Sequence, residues 1–321
     1  MSDIDFGNLI RTGNKKDIKP INVLPTGFTE IDDELLEVGG FVRGRITEIS
    51  AFEGQGKTTF LLNLIGYWQK QGLKCCFGDA EGVLTQSWAE ACGVDWQELD
   101  IIEPCPAESF INKLKMITAA NIYDIIAVDS ISVFNPEDLA KSKDVGKLTM
   151  HDNLKSAQLM KAFLNGMQSG FSANDAKGKP ITGGGVWTLT QKGEKLDKTI
   201  HLLRDKKTHL FFIAHLAEKP GLTFGDSYYT SGGKKKDFAY TTRLRLFASR
   251  KTATRKGQTV LLGKTLKIHL WKSKTSVPYK TVQMFLDVDG TLKSLNAPEQ
   301  EISDSQEETP VKFLADDNTE D

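Results

Sequence analysis

Ala51-Phe52-Glu53-Gly54-Gln55-Gly56-Lys57-Thr58-Thr59 decides how this chain is read. An apolar alternating run, Arg45-Ile46-Thr47-Glu48-Ile49, precedes it. A helical pattern, Phe60-Leu61-Leu62-Asn63-Leu64-Ile65, follows. Strand, glycine-rich turn, Gly-Lys-Thr and helix, in that order, are the context a phosphate-binding loop requires. Backbone N–H groups of the turn and of the helix N-terminus converge there on phosphate oxygens. Lys57 adds a point charge near the β and γ phosphates, and the Thr58 hydroxyl is placed for Mg²⁺. Glu53, Gly54, Gln55, Gly56 and Thr59 complete the cradle. Ala51 stands where such loops usually open on glycine, and it is small enough to be tolerated. The rival reading is a chance turn at a helix start, and the flanking patterns weigh against it.

Outward from this loop the pattern alternates strand and helix. Strands are expected at Ile46–Ser50, Lys74–Asp79, Leu99–Ile102, Asp124–Asp129 and Leu210–His215, and helices at 57–71, 82–92, 107–120 and about 151–167. Apolar strands alternating with helices imply a mainly parallel sheet covered on both faces. Residues 241–248, 259–270 and 281–288 read as antiparallel strands appended to it. Residues 1–20 read as an arm, 21–292 as the core, and 293–321 as an acidic, disordered tail.

Two carboxylates extend the loop into a nucleotide site. Asp129 ends an apolar strand, where an Asp beside the loop can bind Mg²⁺ through water. An Asp there is also a common turn former; its pairing with the loop favours function. Hydrolysis needs a carboxylate to orient or deprotonate water. Asp79-Ala80-Glu81 ends a neighbouring strand, and ligands in such sheets sit outside the carboxyl ends of strands. Glu81 is therefore a candidate base, with a helix-start acid favoured by the dipole as the alternative.

Composition excludes some classes. No run approaches the ~20 apolar residues of a membrane span, and the N-terminus does not read as a signal peptide. Cys75, Cys76, Cys92 and Cys105 match no zinc spacing and read as reduced thiols, so the protein is expected in the cytoplasm. Net charge is −1 but unevenly spread: residues 298–321 hold nine acids against Lys312, leaving the body at +7. A basic body with an acidic tail suggests a polyanion partner and a competing tail. A solubilising tail is the equal alternative.

Five stretches in this order resemble the bacterial RecA family and its bacteriophage strand-exchange relatives, over roughly residues 21–288. They are Leu24-Pro25-Thr26-Gly27 through Gly39-Gly40 to Ile49; the loop itself; Asp79-Ala80-Glu81 with Ala89 to Asp95; Ile126-Ala127-Val128-Asp129-Ser130; and Phe212 to His215 through Gly225 to Ser231-Gly232-Gly233. The resemblance implies a RecA-like P-loop ATPase core binding ATP and Mg²⁺, with Thr58 and Asp129 on the metal. It implies that Glu81 activates water and that His215 senses the γ-phosphate, where most bacterial members carry glutamine. It places Trp88 against adenine, the alternative being a core tryptophan. It also implies that Lys272 and Lys274 reach the neighbouring subunit's phosphates. The alternative for that pair is a solvated edge strand.

DNA contacts are implied near 136–150 and from about 217 to 238. The second segment holds Lys219, Phe224, Tyr228, Tyr229, Gly232, Gly233, Lys234, Lys235 and Lys236. Cations would track phosphates and aromatic rings would stack or separate bases. The implied protein assembles head-to-tail as a filament, or alternatively a ring, on single-stranded DNA. It would pair that strand with homologous duplex DNA, aided by a single-strand-binding or mediator protein. Residues 168–207 are longer than the family's segment, the family's small C-terminal domain finds no counterpart, and the arm is not clearly similar. The second of these departures favours a compact phage-like version, expressed in the host cytoplasm. The rival functions are a hexameric helicase motor and a non-hydrolysing mediator; Lys57, Glu81 and Asp129 together weigh against the latter.

Overall fold

Every residue of β1, Ile46–Ala51, is buried, because alternate side chains enter opposite apolar layers. Ile49 and Ala51 join one core cluster and Ile46 the other. The same division splits the remaining apolar strands. In β4 (Ile125–Asp129), Ile125 and Ala127 face one layer and Ile126 and Val128 the other. In β5 (His209–Glu218), Phe211 and Ile213 oppose Leu210, Phe212 and Ala214. A two-residue side-chain period buried on both faces is why these segments read as unbroken apolar runs.

This is a computed structural model, and it describes residues 21–131, 173–174, 180–181, 186–187, 197–198, 208–219, 226–230, 236–255 and 258–295. The remaining strands of the main sheet are β2 (Cys75–Asp79), β3 (Leu99–Ile102), β6 (Tyr228–Thr230), β7 (Thr242–Arg255), β8 (Gln258–Ser273), β9 (Thr281–Asp287) and β10 (Leu292–Ser294). Their order is β10-β9-β8-β7-β1-β5-β4-β2-β3, with β6 paired to β5. From β7 to β3 neighbours run parallel. From β7 to β10 they run antiparallel. Helix α1 (Lys57–Lys70) packs on one face through Phe60, Leu61, Leu64 and Trp68. Helix α3 (Ala107–Ala120) covers the other through Phe110, Ile111 and Leu114. The expected mainly parallel sheet with helices on both faces and appended antiparallel strands is therefore observed.

Several boundaries differ from the sequence expectation. The helix expected at 82–92 is shorter: α2 spans Gln86–Ala91. The Asp79 carboxylate takes the amides of Gly82 (2.9 Å), Val83 (3.2 Å) and Leu84 (3.0 Å), so the chain turns before it coils. Strands β7 and β8 are longer than expected and form one ribbon, with register shifts at Arg243/Leu244 and Lys251/Thr252. The ribbon beyond β9 is largely exposed, so no apolar alternation marks it. Strand β10 carries the core to Ser294, two positions past the expected boundary. Within 168–207, Ala173–Asn174 pairs with Pro180–Ile181, and Val186–Trp187 pairs with Asp197–Lys198. The arm at 1–20, the first DNA segment at 136–150, the helix near 151–167 and the acidic tail from 296 lie outside the described residues.

Candidate nucleotide site

Four strands deliver the site. Strand β1 runs into the phosphate loop, and His215 on β5 stands in register with Ala51. Asp79 on β2 stands in register with Asp129 on β4. The carboxyl edge of the parallel block thus gathers the loop, both acidic strand ends and His215. Gly54 and Gly56 hold φ of +68° and +83°, where a side chain would be strained. A Cβ at Gly56 would also lie 2.9 Å from Leu286 Cδ2. These two glycines let the loop turn so that α1 presents its first N–H groups towards the cradle.

Lys57 is buried and donates to the carbonyls of Phe52 (3.0 Å) and Ala51 (3.4 Å). Burial lowers the pKa of its ammonium, opposed by Asp129, Glu81 and Glu53. The Thr58 hydroxyl donates to Asp129 Oδ2. Desolvation raises the Asp129 carboxyl to about 6, against the opposing hydrogen bond from Thr58. Glu81 Oε1 accepts from Ser130 Oγ and lies 3.0 Å from His215 Nε2. The bond to His215 is the largest cause holding the Glu81 carboxyl below the ordinary range; burial opposes it and Ser130 adds to it. Glu81 is thus ionised at neutral pH and can orient or deprotonate a water.

The other loop residues divide by side chain and backbone. Glu53 is exposed. The Gln55 side chain reaches β7, where its Oε1 accepts from the Ala248 amide. Thr59 is buried in the first turn of α1. Trp88 is 40% exposed, and its ring lies beside the backbone at Gly290, where a Cβ would stand 3.4 Å away, at ordinary contact distance. An exposed indole face suits stacking on a base.

The Mg²⁺ expectation can be tested on these residues. Among the described residues, no cluster of three or more His, Cys, Asp or Glu could hold a metal alone. What is present is a hydroxyl against a buried carboxylate whose charge is poorly compensated. That donor set fits a hard cation that also draws ligands from phosphate and water.

Lys272 and Lys274 are not part of this cluster. Lys272 Nζ donates to the Asp237 carbonyl, and Lys274 Nζ to the Phe238 carbonyl at 2.7 Å. Both carbonyls belong to α4 (Lys236–Ala239). Lys274 N bonds Thr241 O, and Thr241 N bonds Ile46 O. Lys274 is therefore level with the start of β1, roughly 16 Å from the loop at ~3.3 Å per residue. Within one chain the pair serves the opposite end of the sheet.

The second expected DNA segment is only partly a loop. Leu216, Ala217 and Glu218 on β5 pair with Thr230, Tyr229 and Tyr228 on β6, making a hairpin where a free loop was expected. Lys219 donates its Nζ to Asp226 O at 2.8 Å, which ties down a cation expected to track DNA. Tyr229 is exposed, whereas Tyr228 turns inward and meets Phe52 edge-on at 5.4 Å. Phe224, Gly232, Gly233, Lys234 and Lys235 lie outside the described residues, and Lys236 opens α4.

Sequence reasoning missed Ser130, Phe52, Asp226 and Arg245. Ser130 follows Asp129 directly and was legible as a short donor beside a strand-end acid. The other three are linked only by strand register, which no local pattern discloses.

The family model described as RecA N-terminal domain matches residues 2–177 and 189–290. Residues 178–188, between the two matches, fall inside the stretch expected to be longer than the family's. Protein RecA of Delftia acidovorans is 30% identical over 279 residues, covering 86% of this chain and 65% of that protein. Protein RecA of Streptomyces coelicolor is 29% identical over 278 residues, covering 86% and 63%. Protein RecA of Lactobacillus delbrueckii subsp. bulgaricus is 30% identical over 279 residues, covering 87% and 72%. The chain spans less than two thirds of the length of the first two.

Proposed function

This chain belongs to the RecA family, and from that premise we propose that it is an ATP-dependent recombinase. It polymerises on single-stranded DNA, pairs that strand with homologous duplex DNA and acts as a DNA-dependent ATPase. One observation supports this most. Lys57, Thr58, Asp129, Glu81 and His215 come together at one sheet edge, from four separated segments, as nucleotide turnover requires.

Lys57 leaves its two carbonyl partners to bind phosphate oxygens, and the first N–H groups of α1 bind others. Thr58 and Asp129 hold Mg²⁺, which neutralises charge on the transferring phosphoryl group when bound. Glu81 positions the attacking water, oriented through Ser130 and His215. His215 lies on β5, three residues before the end of that strand, so its hydrogen bonding communicates with the β5–β6 hairpin. Trp88 stacks on the adenine ring. Lys272 and Lys274 act across the head-to-tail interface on the neighbour's phosphates, where their distance from their own loop is no obstacle. Lys219, Phe224, Gly232, Gly233, Lys234, Lys235 and Lys236 contribute to the DNA contact. His215 at the sensor position favours a bacteriophage-type member working in the host cytoplasm with a single-strand-binding or mediator protein. No helix among the described residues is long and apolar enough to cross a membrane.

Electron microscopy with single-stranded DNA and a non-hydrolysable ATP analogue tests the reading. Continuous helical filaments are expected. Closed rings of fixed size, encircling DNA, would overturn it in favour of a helicase motor.

A further inference from the structure

We propose a second route between nucleotide and DNA, separate from Glu81 and His215. In it, Phe52 and Tyr228 couple the phosphate loop to the β5–β6 hairpin, and the Asp226–Arg245 pair makes that hairpin move as one piece. The proposal rests on the recombinase reading above.

Phe52 is the first loop residue after β1. Its carbonyl holds Lys57 Nζ at 3.0 Å, and its ring meets Tyr228 at 84° with centroids 5.4 Å apart. Phosphate binding draws the ammonium away from that carbonyl, so residue 52 feels site occupancy directly. Tyr228 opens β6 opposite Glu218 and also packs near Phe247, at 6.3 Å. Displacement of Phe52 therefore presses on the hairpin rather than on solvent.

The hairpin is fixed at its base. Arg245 Nη1 and Nη2 donate to Asp226 Oδ1 and Oδ2 at 2.8 and 2.6 Å. Asp226 Oδ1 also accepts from the Tyr228 amide at 3.2 Å. Lys219 closes the other side, its Nζ on Asp226 O and its amide on Ser227 O, both at 2.8 Å. Arg245 is 4% exposed, and its guanidinium lies 3.8 Å from the Trp271 ring centroid. Burial pushes the Asp226 carboxyl up, but the bonds from Arg245 and Tyr228 outweigh it and leave the group below its ordinary pKa. A bidentate pair between a buried guanidinium and a half-buried carboxylate is geometrically selective, and losing Asp226 leaves the buried Arg245 charge without that partner. Tyr228 and Asp226 thus act as positioning residues: they join a loop that senses phosphate to a hairpin that faces DNA. Trp271, next to Lys272 in sequence, connects the same arginine to the strand that carries the interface lysines.

The test measures single-stranded DNA affinity by fluorescence anisotropy, with a non-hydrolysable ATP analogue and with ADP. The ratio of the two affinities is the coupling. Tyr228→Phe keeps the ring and should keep the wild-type ratio. Tyr228→Leu and Asp226→Asn should each reduce it by a factor of about 3 to 10, the size of one aromatic pair. Nucleotide affinity without DNA should not change, and this also shows that the site is folded. If Tyr228→Leu loses that affinity through misfolding, Asp226→Asn decides. A wild-type ratio in a folded Tyr228→Leu or Asp226→Asn protein overturns the proposal. A ratio of one in the wild type itself overturns the recombinase reading instead.

Discussion

The two ends of the central sheet are built on opposite electrostatic terms. At the carboxyl end of β1, Lys57 and Asp129 are both held away from their preferred charge states by burial. At the amino end, Glu48 is fully buried but answered by Arg243 Nε at 2.6 Å and by Thr230 Oγ1 at 3.2 Å. Arg243 in turn reaches Asp237 at 2.9 Å, and Lys272 donates to the Asp237 carbonyl. One end is an unfinished arrangement that a phosphate and a cation would complete. At the other, Glu48 and Arg243 answer each other in a network that ties β1, β6, β7 and α4 together. Buried charge alone therefore does not mark a binding site; uncompensated buried charge does.

The largest effects separate the two ends. Lys57→Ala removes the only lysine in the loop and should abolish nucleotide binding, measured by calorimetry, while leaving the thermal midpoint nearly unchanged. Arg243→Ala should do the reverse. It strands Glu48, and breaking a buried pair costs about 3–5 kcal/mol, visible in urea unfolding. Nucleotide binding lost in Arg243→Ala at temperatures where the chain stays folded would erase the distinction.

A smaller effect tests whether the ends meet between subunits. Lys272→Ala/Lys274→Ala should lose DNA-stimulated hydrolysis yet bind ATP. Co-assembled with Glu81→Gln, it should regain a fraction of wild-type activity at mixed interfaces. Mixtures that stay inactive after verified co-assembly would confine each lysine pair to its own chain.

The smallest effect is in pH. Folded Asp129 releases its proton near 6, against an ordinary value of 3.8. Between these values the native state binds more protons than the unfolded chain. The Asp129 contribution to the stability of the nucleotide-free protein should therefore be fully present below about pH 4, and be lost as pH rises through about 6, by on the order of 1–3 kcal/mol. Asp129→Asn should remove this contribution to the slope. An unchanged profile in that variant would mean that Asp129 is compensated, and that the contrast between the ends is overstated.

The chemistry of the carboxyl end was legible because it is written locally. Gly54, Gly56 and Lys57 sit in one turn, Asp129 closes an apolar strand, and Glu81 follows two residues after another one ends at Asp79. His215, Trp88 and the lysine pair entered only through family resemblance; one chain's residues give His215 no role by themselves. The second half of the sheet was legible in kind but not in extent. Ser249, Arg250, Lys251 and Thr252 break the apolar alternation, although the backbone of the ribbon continues through them to Arg255. The start of α2 was misplaced because Asp79 satisfies three amides across a turn. Phe52 with Tyr228, and Asp226 with Arg245, were illegible for a related reason. Their meeting depends on where β5, β6 and β7 register against β1, which is a property of the assembled sheet.

In the mechanism proposed above, Glu81 activates water beside a phosphate cradle that binds independently of it. Glu81→Gln keeps the size of the side chain and its acceptor oxygen while removing the base. The deciding measurement is single-turnover ATP hydrolysis on single-stranded DNA, with ATP affinity determined on the same preparation. The account predicts unchanged affinity and a rate lower by about 10²-fold or more. Near-normal hydrolysis by Glu81→Gln would contradict it.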